Sequence, residues 1–133
     1  MFLLDTNNWI TLLKGKNPRL YDRWCSVGTN DIVVCSVVKA ELWHGAHKYA
    51  DPDKRRRTVD TWLAAYRSLP FDDLAARHYA DLKHALETQG QLIGPNDLKI
   101  AAICLAHGLT LVTANTSEFR RVPGLRVEDW GKV

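Results

Sequence analysis

Short apolar runs alternate along the chain with longer segments that are apolar on one side only. The runs lie at residues 2–4 (FLL), within 31–36 (DIVVCS) and within 109–113 (LTLVT), and a closing strand is expected at 125–130 (LRVEDW). Continuously apolar strands are typical of a parallel sheet that is covered on both faces. Their alternation with helices predicts an α/β fold, a three-layer α/β/α sandwich with a mostly parallel central sheet.

The segments between these runs have the pattern of helices, and several of them stop at glycine or proline. We predict helices over residues 9–15, 19–28, 36–49, 51–69, 72–90 and 97–107. The stretches 91–96 and 114–124 are rich in turn-forming residues and are predicted as loops. No repeat or linker interrupts the pattern, so we expect residues 1–133 to form a single domain.

The last predicted helix, DLKIAAICLAH, is apolar almost all round, yet it begins with the carboxylate of Asp97. Asp97 alone could cap its helix, as Asp5 could cap the first one. Other polar residues, however, also lie just after a predicted strand or near the start of a predicted helix. Asp5 directly follows the first strand, Glu41 lies in the second turn of the helix after the second strand, and Asn115 and Glu118 follow the third. Because parallel strands end at one edge of the sheet, we expect these five side chains to share a cleft.

Crowded carboxylates repel one another unless a cation lies between them. Mg²⁺ prefers oxygen ligands and keeps several of its waters, so two or three carboxylates with open positions suit a catalytic site for a hard metal ion. Glu41 strengthens this interpretation, because it lies among apolar residues in SVVKAELWHGA and an unpaired buried carboxylate is rare.

Three segments together resemble the PIN-domain family, and in particular the VapC toxins of bacterial type II toxin–antitoxin pairs. They are LLDTNNWI, SVVKAEL and IGPNDLKIAAICLAHGLTLVTANTSEFRRVPGLRVEDW. The resemblance covers essentially the whole chain and is most specific in its last third. It implies a PIN-like fold and an endoribonuclease that depends on Mg²⁺ or Mn²⁺ and cleaves structured RNA, tRNA or rRNA. The last segment is most similar to members that cleave initiator tRNA.

The resemblance also implies roles for individual residues. Asp5 and Asp97 would be the principal metal ligands, with Glu41 as the third acid. The hydroxyls of Thr6 and Thr113 would support the site, and a metal-activated water would attack the phosphate in line. The products would carry 3′-hydroxyl and 5′-phosphate ends.

One position departs from the family pattern. Many members carry an acid where this chain has Asn115. Asparagine can still coordinate through its carbonyl oxygen but adds no charge, so a second metal site is in question, with Glu118 as a candidate substitute. The departure leaves open an alternative function, a catalytically weak PIN module that binds RNA or protein.

The family also implies partners, which are a VapB-like antitoxin that inserts a chain end into the acidic cleft and a second copy of the chain in a homodimer. DNA would be contacted only indirectly, through the antitoxin. The net charge of +3 and the pI near 8.8 are compatible with an RNA substrate. Arg120 and Arg121 follow the expected site and are candidates to contact the RNA backbone, whereas Lys54 and Arg55 form either an RNA contact or a solvated helix face.

Two further features limit the choice of function. No run approaches the length of a membrane helix and the start does not resemble a signal peptide, so we expect a cytoplasmic protein without a membrane partner. Three cysteines, Cys25, Cys35 and Cys104, are expected as buried free thiols. Glu-x-x-His spacing at Glu41 and His44 leaves a remote alternative, a helical protein with a carboxylate-bridged pair of metal ions.

Overall fold

A computed structural model describes residues 1–132 of the chain. Its five strands all pair in parallel in the order β3-β2-β1-β4-β5. The strands are β1 Phe2–Leu4, β2 Ile32–Cys35, β3 Arg67–Leu69, β4 Thr110–Val112 and β5 Arg126–Glu128. The helices are α1 Thr6–Lys14, α2 Pro18–Ser26, α3 Ser36–Gly45, α4 Pro52–Leu63, α5 Asp73–Thr88, α6 Pro95–His107 and α7 Thr116–Phe119.

The strand order reverses direction at β1. Connections from β1 to β2 and β3 step to one side, and the later connections to β4 and β5 step to the other. Right-handed crossovers therefore place helices on both faces of the sheet, which confirms the three-layer α/β/α architecture. The reversal also opens a crevice beyond the carboxyl ends of β1 and β4, where α/β proteins bind their ligands.

The core follows the apolar pattern of the sequence. Leu3 in β1, Val34 in β2 and Leu111 in β4 are completely buried, and α6 adds Ile100 and Ile103, which are equally inaccessible. Because α6 is apolar nearly all round, it packs both against α5 and over β4. This leaves α6 little freedom to move relative to the sheet.

Several predicted boundaries are wrong, most clearly at residues 51–69. The helix ends at Leu63, and Arg67–Leu69 forms the edge strand β3, in which only Leu69 is buried. The strand was not predicted because apolar residues at helical spacing continue through it, at positions 59, 62, 63, 66 and 69. The predicted loop 114–124 contains the short helix α7, and the predicted helix 36–49 ends at Gly45 and continues only as a 3-10 turn.

Two other expectations need correction. Cys35 and Cys104 are buried free thiols as predicted, but Cys25 is exposed on α2. The helical di-metal alternative is wrong because the chain is built on a five-stranded sheet, and His44 lies exposed on the surface of α3. Within residues 1–132, no helix combines the length and hydropathy that a membrane crossing requires.

Candidate active site

Asp5 lies at the base of the crevice, directly after β1, and is only 7 % exposed. It caps α1, because its Oδ1 accepts a hydrogen bond of 3.0 Å from the backbone N–H of Asn8. Its Oδ2 accepts a hydrogen bond of 2.5 Å from the hydroxyl of Thr113, which follows β4. One oxygen is thus held from α1 and the other from the end of β4, which fixes the orientation of the carboxylate.

Thr113 and Asn8 connect the two sides of the crevice. The Thr113 side chain is fully buried, and its hydroxyl oxygen accepts a hydrogen bond of 3.0 Å from the backbone N–H of Asn115. The side-chain amide of Asn8 donates a hydrogen bond of 2.9 Å to the carbonyl oxygen of Val112 at the end of β4. Asn8 was not predicted from the sequence, although an asparagine three residues after a candidate capping aspartate was the available signal.

Glu41 reaches the crevice from the second turn of α3. Its Oε1 accepts a hydrogen bond of 2.6 Å from the hydroxyl of Thr6, the first residue of α1. Glu41 is half-buried rather than fully enclosed. Thr6 therefore holds the acid of one helix against the start of another, close to Asp5.

Asp97 occupies the third position of α6 and is not the cap of that helix. Gly94 is the cap residue and makes no side-chain cap bond. Burial raises the pKa of Asp97 to about 6, with further contributions from the carboxylates of Glu118 and Glu41 and from a hydrogen bond to Glu118. The side-chain amide of Asn115 donates a hydrogen bond to Glu118 in turn. Asn115 itself carries no charge, but its hydrogen bond holds the carboxylate of Glu118, which interacts with Asp97.

The structure therefore brings together all five of the side chains that were predicted to share a cleft. Burial raises the pKa of Asp5, the hydrogen bonds from Thr113 and Asn8 lower it, and the charges of Glu41 and Asp129 raise it. Asp129 was not predicted, although it directly follows β5, as Asp5 follows β1. The result is a concentration of negative charge at the carboxyl edge of the sheet.

The donors in the crevice have the chemistry that a hard divalent cation requires. Within residues 1–132, no three His, Cys, Asp or Glu side chains are placed as a complete ligand set. Asp5 and Asp97 nevertheless offer carboxylate oxygens that interact with one another and with Glu41. Burial is the largest cause of both raised pKa values, and the charges of neighbouring carboxylates add to it, so a bound cation would relieve part of the cost of ionising these acids. We conclude that these residues fit a divalent metal ion.

The predicted basic residues belong to two separate segments of the fold. Arg120 and Arg121 follow α7 and are exposed, with Nη1 of Arg121 donating a hydrogen bond of 3.4 Å to the carbonyl oxygen of Leu92. Lys54 is exposed on α4, whereas Arg55 is half-buried and lies 4.2 Å from the ring centroid of Tyr49. Neither residue of α4 contacts the carboxylates directly.

The fold and the acidic crevice at its strand edge together define a class of protein. The family model for the PIN domain matches residues 2–125, and the chain belongs to this family. It is 34% identical over 129 residues to the tRNA(fMet)-specific endonuclease VapC of Salmonella typhimurium, with 97% of each chain covered. It is 32% identical over 133 residues to the ribonuclease VapC2 of Rickettsia felis, with 99% of each covered. Within the PIN-domain family, the chain is a member of the VapC ribonucleases.

Solved structures agree with this assignment. The chain superimposes with a TM-score of 0.90 on a chain of DNA-bound VapBC from Salmonella typhimurium, at 34% identity and with 97% of both chains covered. A TM-score of 0.89 relates it to VapBC2 from Rickettsia felis bound to a promoter DNA fragment, at 32% identity and with 97% and 98% covered. PIN-domain VapC nucleases generally use divalent metal ions.

Proposed function

We propose that this chain is the toxin of a VapBC-type pair and an endoribonuclease that uses Mg²⁺ or Mn²⁺ to cleave structured RNA, with initiator tRNA as the first substrate to test. The observation that carries the proposal is the meeting of Asp5, Glu41, Asp97 and Glu118 in one crevice, in a chain whose relatives include endonucleases named as specific for tRNA(fMet). Residues 1–133 are proposed to act as one PIN-like domain.

The proposed metal ligands are Asp5 and Asp97, with Glu41 as the third acid. When bound, a divalent cation supplies a Lewis acid that lowers the pKa of a water molecule and neutralises charge on the leaving oxygen. The Thr113 hydroxyl fixes one oxygen of Asp5, and the Thr6 hydroxyl fixes one oxygen of Glu41. These bonds hold the carboxylates in place before substrate arrives, which reduces the reorganisation that the reaction requires.

Glu118 is proposed to supply the acid that Asn115 lacks. Asn115 donates its side-chain hydrogen bond to Glu118, and Glu118 contacts Asp97. This arrangement supports an active nuclease over a catalytically weak binding module, because the charge missing at position 115 is restored three residues later. Arg120 and Arg121 are proposed to contact the RNA backbone beside this acid.

A VapB-like antitoxin is the proposed partner. Support comes from the neighbouring structures, which are VapBC complexes, two of them bound to DNA. We propose that this toxin contacts promoter DNA only through its antitoxin and that it forms a homodimer. The acidic crevice suits a basic side chain from the antitoxin, which would block the metal ligands by charge pairing.

A cleavage assay tests the proposed function. Purified chain is incubated with initiator tRNA or with an elongator tRNA transcript, with Mg²⁺, with Mn²⁺ or with EDTA. We expect specific cleavage of the initiator tRNA that requires the cation, and a loss of at least 100-fold in the Asp97→Asn variant, as is typical when one essential charged group is removed. Cleavage that persists equally in EDTA or in Asp97→Asn would contradict the proposed site.

The asparagine variant has a matched control on another helix. Asp53→Asn makes the same change in the first turn of α4, where Asp53 is exposed and was not predicted to contribute to the site. This control is expected to cleave like the wild type. Activity on both tRNAs alike would retain the nuclease but reject the initiator specificity.

A further inference from the structure

A groove beside the acidic crevice carries positive charge from three different elements. It has a volume of about 410 Å³ and lies between α1, α3 and the start of α4. Lys14 ends α1, Lys48 ends the 3-10 turn after α3, and Arg55 lies on α4. All three line the groove, and we call it the basic groove.

The basic groove is continuous with the acidic crevice. Among residues 1–132, Glu41 is the one acidic side chain that lines the groove. A second cavity of about 490 Å³ is lined by Thr6, Glu41, Lys48 and Asn96, so it joins the start of α1 and the start of α6 to the groove. A chain that leaves the crevice past Glu41 therefore enters a channel whose other charges are positive.

An aromatic ring contributes to the same channel. Tyr49 is 38% exposed, and the guanidinium of Arg55 lies 4.2 Å from its ring centroid. Stacking on the ring restrains Arg55 while leaving its N–H groups free for an acceptor. Apolar surface from Ile10 and Leu42 suits either a nucleobase or a protein side chain, so the charges determine which occupant is favoured.

We propose that the basic groove holds the RNA strand on one side of the cleaved phosphodiester, with Lys14, Lys48 and Arg55 contacting its phosphates. This inference rests on the proposed ribonuclease function and extends it. A strand that places one phosphate among carboxylates needs cations close by for the next phosphates, and phosphate contacts supply much of nucleic-acid affinity. Arg120 and Arg121 follow α7, which comes after β4, whereas α3 comes after β2. Because β4 and β2 flank β1 on opposite sides, the two arginines suit the other end of the RNA strand.

Paired substitutions test the proposal. Lys14→Ala is compared with Lys16→Ala, and Arg55→Ala with Arg57→Ala. Each control removes the same charge at a position that is two residues away and does not line the groove. All variants are made in the Asp97→Asn background, so that RNA is bound without being cut. Affinity for a fluorescent hairpin RNA is measured between 50 and 300 mM KCl.

We expect each groove variant to bind the hairpin about 3- to 10-fold more weakly at 150 mM KCl and to reduce the salt slope by about 0.7, the value for one contact with a single strand. The controls should remain within about twofold of the parent. Equal losses in groove and control variants would overturn the proposal. So would unchanged RNA affinity accompanied by weaker binding of the purified antitoxin, which would make the groove a protein interface.

Cleavage by the wild type is measured in parallel with the binding assay, so that the proposed ribonuclease function and the proposed role of the basic groove are tested separately. Metal-dependent cleavage by the wild type, together with equal RNA affinity of the groove and control variants, rejects only the groove. Absence of cleavage by the wild type rejects the proposed function. Arg55→Glu provides a second test, because reversal of the charge is expected to weaken binding more than its removal, and a circular dichroism melt checks that the variant is folded.

Discussion

Asp97→Asn is expected to make the metal-free protein more stable while it removes activity. The folded-state pKa of Asp97 is raised from 3.8 to about 6, first by burial and then by the charges of Glu118 and Glu41. A shift of about two units corresponds to about 3 kcal/mol at 1.36 kcal/mol per unit. Because Asp97 is only half-buried, solvent screening reduces the expected effect to about 1.5 kcal/mol.

The sign of the effect follows from proton linkage. A carboxyl group with a raised folded-state pKa binds its proton more tightly in the folded protein, so its stabilising contribution is complete below pH 3.8 and is lost as the pH rises through about 6. Asparagine does not ionise. We therefore expect the variant to exceed the wild type by about 1.5 kcal/mol at pH 7.5, and by about half of that at pH 5.

Urea unfolding in EDTA, followed by tryptophan fluorescence, measures both values. Asp53→Asn is the control, because it changes an exposed aspartate in the first turn of α4, where loss of the charge costs a few tenths of a kcal/mol at the helix dipole. The electrostatic explanation is wrong if Asp97→Asn is less stable than the wild type at pH 7.5. A difference that does not change with pH would refute it equally, since it would come from packing and not from ionisation.

Three further predictions concern the same crevice. Thr113→Val removes the hydroxyl that holds Asp5. We expect urea unfolding to show a free energy of unfolding lower by about 1.5–3 kcal/mol, and titration calorimetry to show several-fold weaker Mn²⁺ binding. Unchanged values for both would show that the hydroxyl does not position the carboxylate. Asn115→Asp adds a carboxylate beside Glu118, so Mn²⁺ should bind more tightly while stability in EDTA falls, and weaker binding would contradict this. Mg²⁺ at about 100 times its Kd should raise the unfolding free energy of the wild type by about 2.7 kcal/mol; an equal rise in Asp97→Asn would place the cation elsewhere.

Burial made the inner strands of the sheet predictable. Of the two largely exposed edge strands, β5 was predicted from the sequence and β3 was not. β1, β2 and β4 are buried on both faces, and a short unbroken apolar run is typical of such a strand. β3 is an edge strand with two exposed residues, Arg67 and Ser68. Nothing local distinguishes such a strand from the end of the preceding amphipathic helix, because its identity depends on pairing with β2.

The candidate site was predictable to the extent that topology alone fixes it. Asp5, Glu41 and Asp97 each occupy a position that a parallel sheet brings to one edge. The hydrogen bond from the Asn8 side chain to Val112 was not predictable in this way, because it joins residues 104 positions apart and depends on the spacing between α1 and β4. The bond from Asn115 to Glu118 is local, yet its importance follows only from the contact of Glu118 with Asp97.

The helix α6 tolerates the carboxylate of Asp97 in its first turn because the rest of the helix is buried and packs tightly. Asp97 is not needed as a cap, and its charge lies near other carboxylates, so on its own it disfavours folding at neutral pH. Ile100 and Ile103, which follow Asp97 in the same helix, are completely buried, and burying each contributes about 1.5–3 kcal/mol. The same packing that outweighs the electrostatic cost also fixes α6 against the sheet. A more polar α6 would lower that cost but would let Asp97 move relative to Asp5, and a site for a small divalent cation requires the two carboxylates to stay in place.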